Sequence, residues 1–181
     1  MSNGILYKTK AVCIGPMEAD IEEGRKTRES LKQKLSELGI ILWDHYNRPY
    51  VGFIEESKET HKTLFDHRER EEYEEIEKYK DIRAQDLNLI DRADMVICVF
   101  NQKTFSAGTL EELFLANRMK KPIFLVWGEG KNKCPFWFFW TIPHKYIYSS
   151  VDEVVETLAR INSGEKEIDS SRWRLFKEEY R

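Results

Sequence analysis

MVICVFNQKTFSAGTLEELFLANRMKKPIFLVW, residues 95–127, is the stretch whose reading decides the fold. Met95–Phe100 and Ile123–Trp127 are short, uninterrupted apolar runs. They lack the alternation of a strand with one wet face, so each reads as a strand covered on both sides. Between them a helix is expected from Thr109 to Met119, ended by Lys121-Pro122. Strand, helix and strand in that order describe a parallel pair joined by a crossover.

The pattern repeats outward. Ala11-Val-Cys-Ile-Gly15 is an apolar run closed by Gly-Pro. A helix follows from about Glu22 to Leu38, with Leu31, Leu35 and Leu38 on one face and Gly39 as its C′ residue. Ile40–Trp43 is the next strand. Beyond Trp127, Tyr146–Tyr148 reads as a fifth strand, and Ser150-Val-Asp-Glu153 has capping-box spacing for a helix to about Ile161. Residues 55–83 are charge-dense and expected to be helical in their second half, as a solvated excursion or as a substrate lid or partner surface. A helical stretch continues through Asp86 to Asp91. The whole is an α/β chain with a doubly wound parallel sheet of about five strands. The domain is expected over 1–162, with 163–181 as a linker and a tail whose Trp173 and Phe176 can dock on the domain or a neighbour.

Composition narrows the class. Apolar residues make up 41% of the 181, enough for a core, and the net charge of −3 provides no global basic field for nucleic acid or an anionic membrane. No apolar run reaches the length of a membrane span. The N-terminus lacks the order of a signal peptide, so a cytoplasmic location is expected. Cys13, Cys98 and Cys134 form no CxxC and read as buried free thiols; the four histidines have no ligand spacing for zinc.

In a doubly wound sheet, ligands bind at the carboxyl ends of the strands. That gathers Gly15-Pro16-Met17-Glu18, Asp44-His45-Tyr46, the segment from Asn101 to Glu112, and Asp86. The sharpest piece is Ser106-Ala-Gly108-Thr109-Leu-Glu-Glu112. A small loop opens a helix whose free N–H groups favour an anion or a sugar oxygen. Glu112 is read in the first turn of that helix. An ionised carboxylate there can attack an anomeric carbon, and Asp86 can exchange a proton with the leaving base. Thr109-x-x-Glu112 also has the spacing of a capping box, in which Glu112 only closes the helix start. The run Phe136-Trp-Phe-Phe-Trp140 reads as core or oligomer packing, or as a base-stacking wall; without basic residues among its aromatics it is not a nucleic-acid platform.

The ordered set CIGPME (13–18), DLNLIDRAD (86–94) and GTxxExxxA (108–116) with Lys121-Pro122 resembles the nucleoside 2-deoxyribosyltransferase family, over roughly residues 10–160. It looks closest to phage-type members and is also similar to the 2′-deoxynucleoside 5′-phosphate N-hydrolases. The resemblance implies a flavodoxin-like fold, no metal or redox cofactor, a nucleoside or nucleotide substrate and a homo-oligomer with sites shared between subunits. It makes Glu112 the nucleophile, Asp86 the carboxylate that serves the base proton or the sugar, and Gly15 the residue that admits substrate to the first strand end. His45 matches a histidine near the base or sugar. Ser106 stands where the transferases carry Asp and the phosphate-handling hydrolases carry Ser, which favours a 5′-phosphate. Two positions depart from the pattern. A first-strand tyrosine that supports the nucleophile is replaced by Val12 or Cys13, leaving Tyr46 or another residue to supply that contact. Glu18 stands where the hydrolases place a base, leaving Arg25 or Arg28 to meet a phosphate. Two other readings of the same residues are a nucleotide-binding module without turnover and an NAD-type glycohydrolase. A third is an oligomeric interaction protein that uses the acidic helix and the aromatic run.

Overall fold

The computed structural model describes residues 4–15, 21–46, 48–100 and 106–181. Pro16, Met17 and Glu18 lie outside these residues. Five strands run β1 (Lys10–Ile14), β2 (Ile41–Trp43), β3 (Met95–Phe100), β4 (Ile123–Trp127) and β5 (Ile147–Tyr148). All pairs are parallel, in the order β2-β1-β3-β4-β5, which is the flavodoxin-like order. The helices are α1 (Ile21–Glu37), α2 (Lys58–Glu69), α3 (Tyr73–Glu77), α4 (Asp81–Arg92), α5 (Ala107–Arg118), α6 (Phe136–Thr141) and α7 (Val151–Asn162).

The apolar runs form the strands for the reason their composition suggests. β4 is buried at every position and β3 at all but one, as strands covered on both faces must be. α1 packs with α7, and α4 with α5; right-handed crossovers put these two layers on opposite faces of the sheet. Asp94 ties the approach to β3 to the start of β1, where Lys10 N–H donates to its Oδ2 at 2.7 Å. The chain winds from β1 outward to β2, then crosses back over β1 to β3. The direction of winding reverses between β1 and β3, and a crevice opens at their carboxyl ends.

Local signals set most boundaries. Gly39 follows α1 at φ +73°, a conformation that costs a side chain far more than glycine. Ser150 caps α7 by accepting Glu153 N–H at 3.3 Å. Gly15 sits where an added Cβ would lie 2.6 Å from the Val99 carbonyl oxygen. Close packing of the β1 end on β3 therefore demands glycine there, whatever approaches from outside.

Three expectations need correction. The excursion is helical from Lys58, not only in its second half, because Ser57 caps α2 by accepting Thr60 N–H at 3.1 Å. The cap of α5 is Ser106, not Thr109: the Ser106 hydroxyl accepts Thr109 N–H at 3.2 Å. The helix thus begins at Ala107, and Glu112 falls in its second turn, beyond the reach of a first-turn capping role. In the tail, Trp173 docks but Phe176 does not. Trp173 packs edge-on to Phe124 with ring centroids 6.0 Å apart, whereas Phe176 is 66% exposed.

The three cysteines are free and buried. Burial raises the Cys13 and Cys98 thiols and pushes Cys134 up to about 11, so none is poised as a nucleophile. No helix among the described residues is long and apolar enough to cross a membrane.

The docked tail is part of the core by this account. Trp173→Ala is expected to cost about 3 kcal/mol or more, the range for removing a buried tryptophan. Phe176→Ala should stay within about 0.5 kcal/mol. Equilibrium denaturation of the two variants checks the contrast.

Candidate active site

Two helices bring carboxylates to the crevice by the same device. In α5 the buried positions are Thr109, Glu112, Leu113 and Ala116, the spacing of one helical face. Glu112 occupies that inward stripe at a place where an apolar side chain is the ordinary choice. In α4, Leu89 and Ile90 are buried, and Asp86 lies one turn earlier on the same side. The segment following β2 contributes His45.

These three groups meet. His45, 2% exposed, places Nε2 2.6 Å from Glu112 Oε1 and 3.7 Å from Asp86 Oδ1. Glu112 is itself only 6% exposed. An ionised carboxylate only accepts, so Nε2–H donates to Oε1 and leaves Oε2 for other work. Burial by itself would lower the His45 pKa. The Glu112 charge, its hydrogen bond and the Asp86 charge outweigh that effect and raise it above the ordinary value. Burial pushes the Asp86 carboxyl up to about 6, with the charges of His45 and Arg48 pulling the other way. Asp86 therefore changes protonation close to neutrality.

Behind Asp86 stands Arg48, whose side chain is wholly buried. Its Nε donates to Asp86 Oδ1 at 2.9 Å and its Nη1 to the Ile54 carbonyl at 3.0 Å, while Nη2 pairs with both Asp86 and Glu56. His61 of α2 lies beyond, Nε2 3.7 Å from Glu56 Oε2.

The donor atoms of His45, Asp86 and Glu112 lie within 4.8 Å of one another, close enough to consider a shared metal ion. The contacts fit proton chemistry better. The 2.6 Å approach of Nε2 to Oε1 is a hydrogen bond, shorter than the roughly 3 Å that separates two donors each about 2.1 Å from one ion. The Asp86 carboxylate, moreover, already holds the Arg48 cation.

A cleft of about 830 Å³ opens onto this cluster. It is lined by Gly15, His45, Asp86, Ser106, Gly108, Thr109 and Glu112, so seven of the residues expected from sequence converge. The Ser106 hydroxyl accepts both Thr109 N–H and, at 3.0 Å, the Thr109 hydroxyl. Its own hydrogen remains available to a ligand. Arg25 and Tyr46 do not line the cleft. The Arg25 and Arg28 guanidiniums lie over the Tyr46 ring, 4.7 and 5.3 Å from its centroid, and Arg28 Nη2 reaches back to the Gly15 carbonyl at 3.4 Å. The contact to Glu112 that a first-strand tyrosine would supply therefore comes from His45, not Tyr46. Glu111 points away from its neighbour and pairs with Arg83 across the cleft mouth, Arg83 Nε to Oε2 being 2.9 Å.

Sequence reasoning missed Arg48, Glu56 and His61. Glu56 and His61 lie within or beside a run of charges that resembles a solvated surface; only the Ser57 cap signals that the run folds back. Arg48-Pro49 sits among aromatics with no motif around it. The aromatic run 136–140 forms α6 and contributes nothing to the cleft lining of this chain. Phe138 is buried against Phe100 and Trp127, while Phe136, Trp137 and Trp140 are 78%, 62% and 75% exposed.

The geometry defines a flavodoxin-like protein with a buried carboxylate–imidazole–carboxylate site at its topological switch point. A family profile described as nucleoside 2-deoxyribosyltransferase matches residues 19–156, and the chain belongs to that family. Its named reaction, deoxyribosyl transfer, breaks and remakes an N-glycosidic bond. No curated protein sequence matches the chain. Among solved structures, it is similar to a 2-deoxyribosyltransferase from the psychrotolerant bacterium Bacillus psychrosaccharolyticus, with 18% identity, 93% of this chain and 100% of that one covered, and a TM-score of 0.56. A CMP N-glycosidase from Clostridium botulinum matches at 19% identity over 83% and 98% of the two chains, with a TM-score of 0.48. A 2-deoxyribosyltransferase from Leishmania mexicana matches at 13% over 67% and 66%, with a TM-score of 0.46. At such identities the first of these likenesses speaks for the fold alone.

If Glu112 holds the charge on His45, Glu112→Gln should leave burial to dominate and lower the His45 titration midpoint from its wild-type value. Imidazole proton shifts followed by NMR across pH 5 to 9 read this directly. An unmoved midpoint would show that the two groups are not electrostatically linked.

Proposed function

We propose that this protein cleaves the N-glycosidic bond of a 2′-deoxynucleotide or nucleoside through a glycosyl ester on Glu112, with the sugar passed to water or to a second base. The observation that carries the reading is the buried pairing of Glu112 with His45 at 2.6 Å, beside a carboxyl that titrates near neutrality. His45 holds Oε1 and orients Oε2 toward the cleft. Oε2 attacks C1′ as the bond to the base breaks. The bonding electrons leave with the base, which takes the proton from Asp86. In the second half, water or an acceptor base attacks C1′, the Glu112 carboxylate departs and Asp86 accepts the incoming proton. Two carboxyls with separated roles, one paired with an imidazole and one that exchanges its proton at about pH 6, suit these two duties.

A 5′-monophosphate is favoured over a free nucleoside. The hydroxyl of Ser106 and the start of α5 at Ala107 and Gly108 line the cleft, and a helix start suits an anion. Arg68 and Lys80 also line the cleft and supply positive charge. Arg25 and Arg28 support the phosphate from behind Gly15 only if it reaches past that residue. Assembly into a homo-oligomer belongs to the same reading, with the exposed aromatics of α6 as the surface that self-association would cover.

The test is a panel of deoxynucleosides and their 5′-monophosphates, with and without an acceptor base, followed by chromatography of the released base. Glu112→Gln should fold and lose turnover by at least about 10³-fold, since an amide is a poor nucleophile. Glu111→Gln, whose side chain only meets Arg83, should keep most of it. A folded, fully active Glu112→Gln protein would remove the nucleophile from the account. Ser106→Asp should weaken use of the monophosphate while sparing the nucleoside, because a carboxylate repels the phosphate dianion. Equal wild-type rates on both substrates would show that Ser106 does not select between them.

A further inference from the structure

Among the described residues, Asp86 is gripped by one oxygen only. Both Arg48 contacts end on Oδ1, as does the longer approach of His45; Oδ2 has no hydrogen-bond partner among the described residues. Asp86 and Glu56 line the cleft, but Arg48 does not. The guanidinium stands behind the two carboxylates, shielded from any substrate, and joins them. Its position is anchored independently by the Ile54 carbonyl at 3.0 Å. A planar fork with donors fixed in one plane is suited to this task, because it sets the angle of the carboxylate as well as its distance.

We propose that Arg48, backed by Glu56, is a positioning residue that locks Asp86 through Oδ1, so that Oδ2 alone carries the proton to and from the base. Glu56 sets the strength of the lock by sharing the same guanidinium. This rests on Asp86 being the proton carrier of the proposed reaction. The groups facing Asp86 are His45, Arg48, Tyr50 and Glu56 from the connection between β2 and α2, and Glu112 from α5; His61 of α2 lies beyond Glu56. Burial lifts Asp86, His45 and Arg48 oppose the lift, and Glu56 adds to it. The signs follow. Removing the Arg48 charge must raise Asp86 further and extend the protonated form to higher pH. Removing the Glu56 charge must lower Asp86 and shorten the active range on the alkaline side. Keeping the charge but losing the fork should leave the midpoint in place and disturb the geometry alone.

The experiment compares wild type with Arg48→Lys, Arg48→Met and Glu56→Gln. The Asp86 carboxyl is titrated by ¹³C NMR in the free protein, and kcat and KM are measured against pH with a deoxynucleoside 5′-monophosphate. The expected Asp86 midpoint rises above its wild-type value of about 6 in Arg48→Met and falls below it in Glu56→Gln. The alkaline limb of the rate profile should move the same way. Arg48→Lys should keep the midpoint near that of wild type and lose kcat by roughly tenfold or more at little-changed KM. Should Arg48→Met fail to fold, the other two variants decide the matter. An Asp86 midpoint unmoved in Glu56→Gln, or an Arg48→Lys protein with wild-type kcat, overturns the proposal. The titration needs no substrate. Shifted midpoints with no base released from any substrate by wild type would therefore sink the proposed reaction while leaving the charge coupling in place.

Discussion

A buried charge must be paired, and the site of this protein is organised around that requirement. Glu112 projects from the inward stripe of α5 into surroundings that leave it 6% exposed. Unpaired, an ionised carboxylate there would be so costly that it would take up a proton. His45 supplies the partner at 2.6 Å. Satisfying one group creates the next demand, because the imidazole sits beside Asp86, and Asp86 in turn is held by Arg48, and Arg48 by Glu56. The chain of alternating charges runs from the sheet edge to the start of α2. It explains why a segment that looks like a solvated excursion folds against the cleft.

Such a network is expensive in stability and useful in chemistry. Buried ion pairs often contribute little net stability, since desolvation offsets attraction. What they provide is fixed geometry and protonation states that differ from those in water. Here two carboxyls close to one imidazole are given different surroundings by their other partners. Glu112 meets an imidazole nitrogen alone, whereas Asp86 is balanced between burial and two cations, and so exchanges its proton near neutrality. The flavodoxin-like sheet makes this possible by exposing the ends of β1 and β3 at the reversal of winding. There α4 and α5 deliver one side chain each, without a loop having to enter the core.

The departures from the family's pattern become intelligible in the same terms. The tyrosine missing from β1 is not replaced in kind. A histidine following β2 reaches Glu112 from the neighbouring strand, an imidazole where a phenol was expected. With Val12 and Cys13 in its place, β1 is apolar and buried from Ala11 to Ile14, as an interior strand must be. Gly15 is required by the Val99 carbonyl as much as by any substrate.

The sequence by itself determined the sheet, because β1, β3 and β4 are apolar runs too short for helices and too continuous for half-wet strands. It also determined which residues gather at the crevice, since chain order places Gly15, His45 and Ser106 after successive strands. It pointed to Glu112 and Asp86 through resemblance, but spacing alone could not separate nucleophile from helix cap. Only the tertiary structure removed the cap from Glu112. The cap belongs to Ser106 and the helix starts earlier, so Glu112 is turned inward to His45. Arg48, Glu56 and His61 were invisible for a physical reason: a charged side chain looks the same in sequence whether water or another charge solvates it. Which one does is settled by the fold, when α2 closes over the cleft and long-range partners replace the solvent.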